Sequence, residues 1–284
     1  MTGAVSAGLG LALLAALLEP LLRLAMEHPQ SDMSAYYEAA DRLNHGQPLY
    51  QVTMDVNNYA FYRYPPLLAI AFRPFALLPM PVISTTWAIA NTCLILLTVR
   101  RLGIRPRTAA ALALLSFPIV WSLILGQAQV LVTWLLAVGS PWSVALAGQL
   151  KLFPGLGALY WIGRRDWKSL RSFLAWTIAF VLLQFVLEPN GSVAFLGTLN
   201  LRQVGTIDNL SPYGISPIAW AGFVILLTGL ALRLAPTRLG WAAAMVAATL
   251  STPRLISYWL MSLLAAFRQP ESGPRPRAKK AGLS

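Results

Sequence analysis

Carboxylates and tyrosines are concentrated in one polar stretch of the chain, residues 31–66, and in the positions just before it. Five of the ten carboxylates and six of the nine tyrosines in the 284-residue sequence lie there. Side chains of both types take part in proton transfer and hydrogen bonding. We therefore expect any chemistry of this protein to be centred on this stretch. The carboxylates are Glu27, Asp32, Glu38, Asp41 and Asp55, and the tyrosines are Tyr36, Tyr37, Tyr50, Tyr59, Tyr62 and Tyr64.

Asp32 has the most informative position of these carboxylates, because it stands just before an amphipathic pattern. The residues at 35, 36, 39, 40 and 43 share one face of a helix that Gly46 can end. This pattern predicts an amphipathic helix lying on the outer membrane surface. Asp32 then has two interpretations. It caps this helix, since Asp is a preferred N-cap residue, or it is a general base held at the water boundary beside a lipid-facing cleft.

The remainder of the chain is too apolar for a soluble protein. Hydrophobic residues make up 57% and charged residues 11%, whereas about a quarter of the residues in soluble domains are charged. A net charge of +12 would favour nucleic-acid binding in a soluble protein, but here Lys and Arg lie in clusters between hydrophobic runs, as in cytoplasmic loops. The composition predicts an all-α polytopic membrane protein. Its expected partner is membrane lipid, and we expect no binding of nucleic acid. The clusters that we place in the cytoplasm lie at 100–107, 164–171, 233–238 and 268–280.

The apolar runs predict a bundle of about eight to ten transmembrane segments, since about 20 apolar residues span a bilayer as a helix. One run begins and ends on the cytoplasmic side, and Lys151, Pro154 and Gly155 within it predict a broken helix. Residues 67–78 predict an interfacial or re-entrant helix. The predicted segments are 4–26, 80–99, 108–125, 127–139, 141–162 (the broken one), 170–187, 215–234, 239–250 and 255–267.

The segments predict one transmembrane domain over residues 1–268. An outer loop at 27–66 carries the candidate base. Residues 269–284 are rich in proline and basic residues, and we expect them to form a disordered cytoplasmic tail.

Short motifs follow one another along the chain in an order that is typical of one family. The first block is Asp32, Tyr36-Tyr37, Ala39-Ala40, Leu43, Gly46, Leu49-Tyr50, Tyr62-x-Tyr64-Pro65-Pro66 and Pro74-Phe75-Ala76. The later motifs are Gly126-Gln127, Lys151-x-x-Pro154, Asn209-x-Ser211 and Ser251-x-Pro253. This order resembles the GT-C glycosyltransferases of family 87, the polyprenyl-phosphate-mannose-dependent mannosyltransferase group. The chain departs from the family pattern at Gln129, where members usually have Asn, and at Arg254, Ser257 and Tyr258, where many have Trp and His.

The resemblance implies a GT-C-like fold and an inverting glycosyltransferase. Such an enzyme moves a hexose, here expected to be mannose, from a polyprenyl-phosphate sugar to a hydroxyl of a glycolipid or glycan acceptor. We expect the reaction on the outer face of a bacterial plasma membrane. A lipid phosphate leaves without protonation, so one carboxylate that deprotonates the acceptor can suffice, unlike the pair in an inverting hydrolase.

The resemblance also assigns roles to individual residues. Asp32 is the expected base, and Lys151 and Arg254 are the expected ligands of the donor phosphate. No metal or other cofactor is predicted, because the chain has no Asp-x-Asp pair and its two histidines lack metal-ligand spacing. The residues expected to bind the sugar and the acceptor are Tyr36, Tyr62, Tyr64, Gln127 and Asn209.

Structural interpretations of the same residues stay open. A lysine in an apolar run costs roughly 2.5 to 3.5 kcal/mol on insertion, and Lys151 can avoid this cost by extending to the headgroups. Arg254 suits bidentate phosphate contact but equally an interfacial anchor. Arg63 and Arg73 fit lipid headgroups better than a substrate, and tyrosines are common in interfacial aromatic belts.

A second class of function also fits this composition. The alternative is a non-catalytic membrane transporter or a lipid-phosphate-binding scaffold of the same fold. A transporter usually has an internal repeat with polar breaks in matching positions, and we find one broken segment without a repeat. A single pocket that joins Asp32, Lys151 and Arg254 would favour the enzyme, whereas a path reaching both membrane faces would favour transport.

Overall fold

The computed structural model describes residues 2–27, 30–50, 61–199 and 209–268, and within these ranges the chain is helical without a β-strand. The prediction of an all-α polytopic membrane protein is confirmed. The predicted tail at 269–284 and the carboxylate of Asp55 lie outside the described residues.

Breaks divide the first half of the chain into short helices. The apolar run 4–26 forms α1 and α2, and the run 108–125 forms α6 and α7, which bend by 57° at Leu115. Prolines occupy the first or second position of several helices, where their fixed φ is favourable. The helices are α1 (Thr2–Ala16), α2 (Leu18–Glu27), α3 (Ser31–Asn44), α4 (Pro66–Phe72), α5 (Met80–Leu102), α6 (Pro106–Leu114) and α7 (Ser116–Leu125).

The second half contains the predicted broken segment. The helix that begins at Pro141 ends at Leu150, and a 3₁₀ segment follows (Phe153–Ala158), so the break at Lys151 is confirmed. Other 3₁₀ segments are Phe75–Leu77, Pro212–Gly214 and the C-terminal Ser257–Phe267. The α-helices are α8 (Gln129–Val138), α9 (Pro141–Leu150), α10 (Leu159–Gly163), α11 (Trp167–Leu187), α12 (Pro189–Thr198), α13 (Pro217–Leu234) and α14 (Gly240–Leu250).

Membrane-length helices are fewer than the eight to ten segments predicted. Among the described residues, α5, α11 and α13 are long and apolar enough to cross a bilayer, and α6 with α7 adds a fourth if the bent pair is one span. Other predicted segments correspond to apolar helices of 10 to 17 residues, including α8, α14 and the C-terminal 3₁₀ helix. A ten-residue helix rises about 15 Å, roughly half of the hydrocarbon thickness. Among them, α8 and α14 both pack on the C-terminal 3₁₀ helix and contribute buried residues to the main core.

Helix α3 has the predicted amphipathic pattern, but its apolar face packs on protein. Met33, Tyr36 and Ala39 have no exposed surface and belong to the main hydrophobic core. The helix ends at Asn44, and Gly46 follows with φ +67, as expected for a helix terminus. The apolar face of α3 thus contacts protein, because periodicity identifies an apolar face but not what covers it. The position of the helix on the outer membrane surface stays a prediction.

The re-entrant segment predicted at 67–78 covers part of that face. It forms α4 and a 3₁₀ turn, and both contact α3. Asn44 Nδ2 donates to the Arg73 carbonyl (2.9 Å), and Arg73 Nε donates to Asn44 Oδ1 (3.0 Å). Tyr37 donates to the carbonyl of Leu78 (2.9 Å). These bonds hold the middle and the C-terminal end of α3 against residues 73–78.

Candidate active site

Gly126 allows the turn after α7 to approach the start of α3. It adopts a left-handed conformation with φ +65, which glycine reaches without steric cost. A Cβ at this position would lie 2.9 Å from Met33 Cβ and 3.2 Å from Gln30 Cβ. The Gln30 amide donates to the carbonyl of Ile124 (2.9 Å) across the same contact. The next residue, Gln127, is therefore placed beside the first turn of α3.

The side-chain amide of Gln127 connects the two charged residues of the site. Its Nε2 donates to Asp32 Oδ2, and its Oε1 accepts from Lys151 Nζ (3.4 Å). Gln127 has no exposed surface. Its neighbours determine its orientation, because an ionised carboxylate only accepts and an ammonium only donates. The arrangement suits an ionised Asp32 and a protonated Lys151.

Two tyrosines complete the hydrogen-bond cluster around this amide. Tyr64 Oη donates to Gln127 Oε1 at 3.0 Å, and Tyr36 Oη lies 3.2 Å from the same oxygen and 3.1 Å from Tyr64 Oη. Tyr36 Oη also accepts from the Ala128 backbone amide (3.2 Å). Burial raises the pKa of Tyr36 and of Tyr64 well above the usual range, so both phenols remain protonated donors.

Asp32 does not occupy the N-cap position of α3. That position belongs to Gln30, which has a left-handed conformation (φ 54, ψ 39), and Asp32 lies in the first turn with its carboxylate on Gln127. Burial raises the pKa of Asp32 to about 6, while the Gln127 hydrogen bond and the charges of Lys151, Arg254 and Arg63 act to lower it. The geometry thus disfavours the capping interpretation and gives a carboxylate that titrates near neutral pH.

Lys151 lies at the break after α9 and is enclosed by aromatic rings. Its backbone is extended (φ −147, ψ 124) and the residue is 4% exposed. The ammonium lies 4.2 Å from the ring centroid of Trp259, 5.1 Å from that of Tyr258 and 5.2 Å from that of Tyr64. Aromatic faces attract cations at such distances. The ammonium therefore points into the protein, which contradicts the alternative in which Lys151 reaches the headgroups.

A cavity of about 260 Å³ brings together several of the predicted residues. Asp32, Tyr64, Lys151 and Arg254 line it, and Arg63 lines it as well. Arg63, which the sequence suggested as a contact for lipid headgroups, thus lines the same cavity as the candidate base Asp32. Apolar side chains from the break after α9, from α12 and from the C-terminal segment form most of the remaining wall, including Phe61, Leu150, Leu152, Phe153, Phe195, Leu199 and Ile256.

The other predicted site residues lie behind the cavity wall. Tyr36 and Gln127 contact the lining residues from within the core. Tyr62 is 2% exposed, donates to the carbonyl of Pro65 (2.6 Å) and accepts from the amide of Ala69 (2.9 Å), so it stabilises the start of α4. None of the three residues lines this cavity, and their expected contact with the sugar or the acceptor stays a prediction.

Asn209 holds the backbone on both sides of Arg254. Its Nδ2 donates to the carbonyl of Pro253 (3.0 Å), and its Oδ1 accepts from the amides of Leu255 (3.0 Å) and Ser211 (2.9 Å). Asn209 does not line the cavity described above. These hydrogen bonds orient the Arg254 segment, and the expected contact of Asn209 with the sugar stays a prediction.

Sequence reasoning did not identify Tyr258 and Trp259 as neighbours of the lysine. Tyr258 appeared only as a departure from the family pattern, and no feature of the sequence singles out Trp259. Both line the cavity. Within the described ranges, no group of three or more His, Cys, Asp or Glu side chains is placed to hold a metal ion. The expectation of a reaction without an obligatory metal stays a prediction.

Comparison with known proteins identifies the family. A model of glycosyltransferase family 87 matches residues 61–273. The chain belongs to this family. Asp32 and Tyr36 precede the matched range of family 87, whereas the other predicted site residues lie inside it.

Two relatives come from Mycolicibacterium smegmatis (strain ATCC 700084 / mc(2)155). A polyprenol-phosphate-mannose-dependent alpha-(1-2)-phosphatidylinositol pentamannoside mannosyltransferase is 26% identical over 219 residues, which cover 70% of this chain and 52% of the relative. A polyprenol-phosphate-mannose-dependent alpha-(1-2)-phosphatidylinositol mannoside mannosyltransferase is 32% identical over 167 residues, covering 47% of this chain and 38% of the relative. The matches thus span about half of the first relative and less of the second. No solved structure matches the chain significantly.

Proposed function

We propose that this family 87 protein transfers a hexose, mannose in the first instance, from a polyprenyl phosphate to a hydroxyl of a glycolipid or glycan. The observation that carries this proposal is the cavity in which Asp32 meets Lys151, Arg254 and Arg63. Both relatives are named as polyprenol-phosphate-mannose-dependent mannosyltransferases, and their names supply the donor class and the sugar.

The proposed step uses Asp32 as a general base. The acceptor oxygen attacks the anomeric carbon from the face opposite the phosphate, and the bond between this carbon and the phosphate oxygen breaks. The electron pair leaves with the phosphate, and the acceptor proton passes to the Asp32 carboxylate. One carboxylate is sufficient because the phosphate departs as a stable anion without protonation. The configuration at the anomeric carbon is inverted.

The cationic residues provide the proposed phosphate site. An amide oxygen has two lone pairs, yet Gln127 Oε1 lies within hydrogen-bond distance of Tyr36, Tyr64 and Lys151. Lys151 makes the longest of these contacts, 3.4 Å, so it is the donor that can turn to a phosphate oxygen at the smallest cost. Arg254 and Arg63 line the same cavity and provide planar donors suited to phosphate.

The apolar part of the cavity wall and the apolar helices support membrane-embedded substrates. We propose that the cavity opens on the outer face of a bacterial plasma membrane, with the basic loops and the C-terminal tail in the cytoplasm. The support is the positive-inside distribution of Lys and Arg. Cysteine labelling from either side of intact cells, at exposed Arg105 or exposed Gln47 replaced by Cys in a Cys93→Ser background, tests this orientation.

The experiment that tests the function is transfer by the purified protein from labelled polyprenyl-phosphate mannose to lipid acceptors. Label that appears in an acceptor lipid supports the enzyme. Label that stays on the donor, with donor binding intact, supports the alternative of a scaffold, and label that crosses the bilayer of sealed vesicles unchanged supports transport. Activity that persists in EDTA would support a reaction without a metal.

The pH dependence of transfer should have an acidic limb set by Asp32. The base acts when ionised, and its pKa is about 6. We expect kcat/KM to fall about tenfold per pH unit below pH 6. The donor is a phosphodiester and keeps its charge in this range. The phosphate of a bound donor adds a negative charge, which raises the pKa of Asp32. The acidic limb of the kcat profile should therefore lie at higher pH than that of the kcat/KM profile. Initial rates between pH 4.5 and 8 measure both limbs.

Replacing Asn209 by Ala should weaken donor binding through Arg254. The change leaves the backbone groups at Pro253 and Leu255 without this partner, and lost buried hydrogen bonds cost about 1 to 3 kcal/mol. We expect KM for the donor to rise about tenfold, with a smaller change in kcat.

A double-mutant cycle with Arg254→Gln tests the connection between these residues. If Asn209 acts by orienting Arg254, the Asn209→Ala change should have little further effect on KM in the Arg254→Gln background. Additive effects on KM would contradict the positioning role.

A further inference from the structure

A second cavity lies apart from the candidate active site, between α6 and the C-terminal 3₁₀ helix. Its volume is about 580 Å³. Ala110 and Leu114 of α6 form one wall, Leu263 and Phe267 form the other, and Val246 of α14 also lines it. None of its lining residues belongs to the first cavity.

The bend between α6 and α7 helps to form this groove. The two helices meet at 57°. On its other side α6 packs closely on α1, where a Cβ at Gly10 would overlap the backbone of Ala113. Ser116 Oγ, at the start of α7, donates to the carbonyl of Gly10 (3.3 Å). The groove face of α6 has no such cover: Leu114 is 44% exposed, and Phe267 opposite it is 39% exposed. The groove is an apolar surface accessible to lipid.

Positive charge is concentrated at one end of the groove. Arg107 lines the groove itself and is exposed. Three further arginines lie within the preceding seven residues, and residues 100–107 contain no carboxylate. Arg107 is also in the first turn of α6, where backbone amides lack helical acceptors and favour anions. An amphipathic ligand with an anionic head and an apolar tail matches this distribution.

We propose that this groove binds an anionic phospholipid of the membrane, with its phosphate at Arg107 and an acyl chain along Leu114, Leu263 and Phe267. The C-terminal tail is a poorer match, because its segment 275–280 carries four basic residues and would meet the arginines with like charge. A second copy of the chain would bring its own arginines to the same place. The site is independent of the proposed transfer reaction.

Lipid binding to the full-length protein in detergent tests the proposal. Native mass spectrometry would measure the affinity for phosphatidylglycerol and for phosphatidylcholine in the parent protein and in three variants. Arg107→Ala removes the charge in the groove, Ala110→Trp fills the groove, and Arg233→Ala removes an exposed arginine at the end of α13 as a matched control. Size-exclusion chromatography and thermal unfolding show that each variant is folded.

The expected result is tighter binding of phosphatidylglycerol than of phosphatidylcholine by the parent protein. Arg107→Ala should weaken phosphatidylglycerol binding about fivefold, the effect of one basic residue near an anionic headgroup. Ala110→Trp should weaken binding of both lipids, and Arg233→Ala should change neither. Equal affinity for the two lipids would overturn the proposal, as would unchanged lipid binding in Arg107→Ala and Ala110→Trp. A dimer of the parent protein that dissociates in Ala110→Trp would also overturn it, because the groove would then bind a second copy of the chain.

Discussion

Asp32→Asn is expected to lower the rate of sugar transfer by about 10² to 10⁴, the usual contribution of general-base assistance. The variant has the size of the parent, and the asparagine oxygen can still accept from Gln127 Nε2. The fold and donor binding should therefore persist while the proton acceptor is lost. The loss should be in kcat at saturating donor and acceptor, measured with labelled polyprenyl-phosphate mannose.

Asp41→Asn is the matched control for this change. Asp41 lies on the same helix as Asp32, its side chain is 46% exposed and it pairs with His45. We expect full activity in this variant. The acidic limb of the pH profile should also vanish in Asp32→Asn and persist in Asp41→Asn. Undiminished transfer by Asp32→Asn would contradict the role of Asp32 as the general base. The contact with Gln127 would then be its only assigned function.

Lys151→Met should reduce kcat/KM for the donor by about 10- to 100-fold. A hydrogen bond to a charged group contributes about 1.5 to 3 kcal/mol of stabilisation. A loss of this size corresponds to a fall in kcat/KM of about 10- to 100-fold. Methionine keeps a long apolar side chain against Trp259 and Tyr258 while it removes the ammonium. Lys168→Met, at an exposed position in the first turn of α11, is the matched control and should have parent activity.

The same variant should move the acidic limb of the rate profile to higher pH. The positive charge of Lys151 is among the influences that lower the pKa of Asp32, so its removal raises that pKa. A loss of activity without this shift would contradict the electrostatic connection between Lys151 and Asp32.

The break at Lys151 was predictable because it is visible in a short window of sequence. A lysine followed by proline and glycine identifies the break. The helix ending before Gly46 follows from local periodicity as well. The alternation of apolar runs predicts membrane helices, but a run does not show whether it forms one long helix or, as at 4–26 and 108–125, two short ones.

The relations among Gln127, Lys151 and Trp259 were not predictable from spacing. These residues belong to three separate segments, the turn after α7, the break after α9 and the C-terminal 3₁₀ helix. Asn209 was expected to contact the sugar because amides suit that purpose, but an amide suits a backbone contact equally well. Residue type gives the possible partners of a polar group, and only the packing of helices selects one.

The sequence by itself determined the membrane class, the helical content, the loop that carries Asp32 and the broken segment that carries Lys151, because composition and short-range periodicity govern these features. The tertiary structure alone decided that α3 packs its apolar face on protein, that Gln127 joins Asp32 to Lys151, and that Asn209 supports the Arg254 segment. These features depend on contacts between residues that are far apart in the chain. The energies of such contacts cannot be inferred from a local sequence pattern.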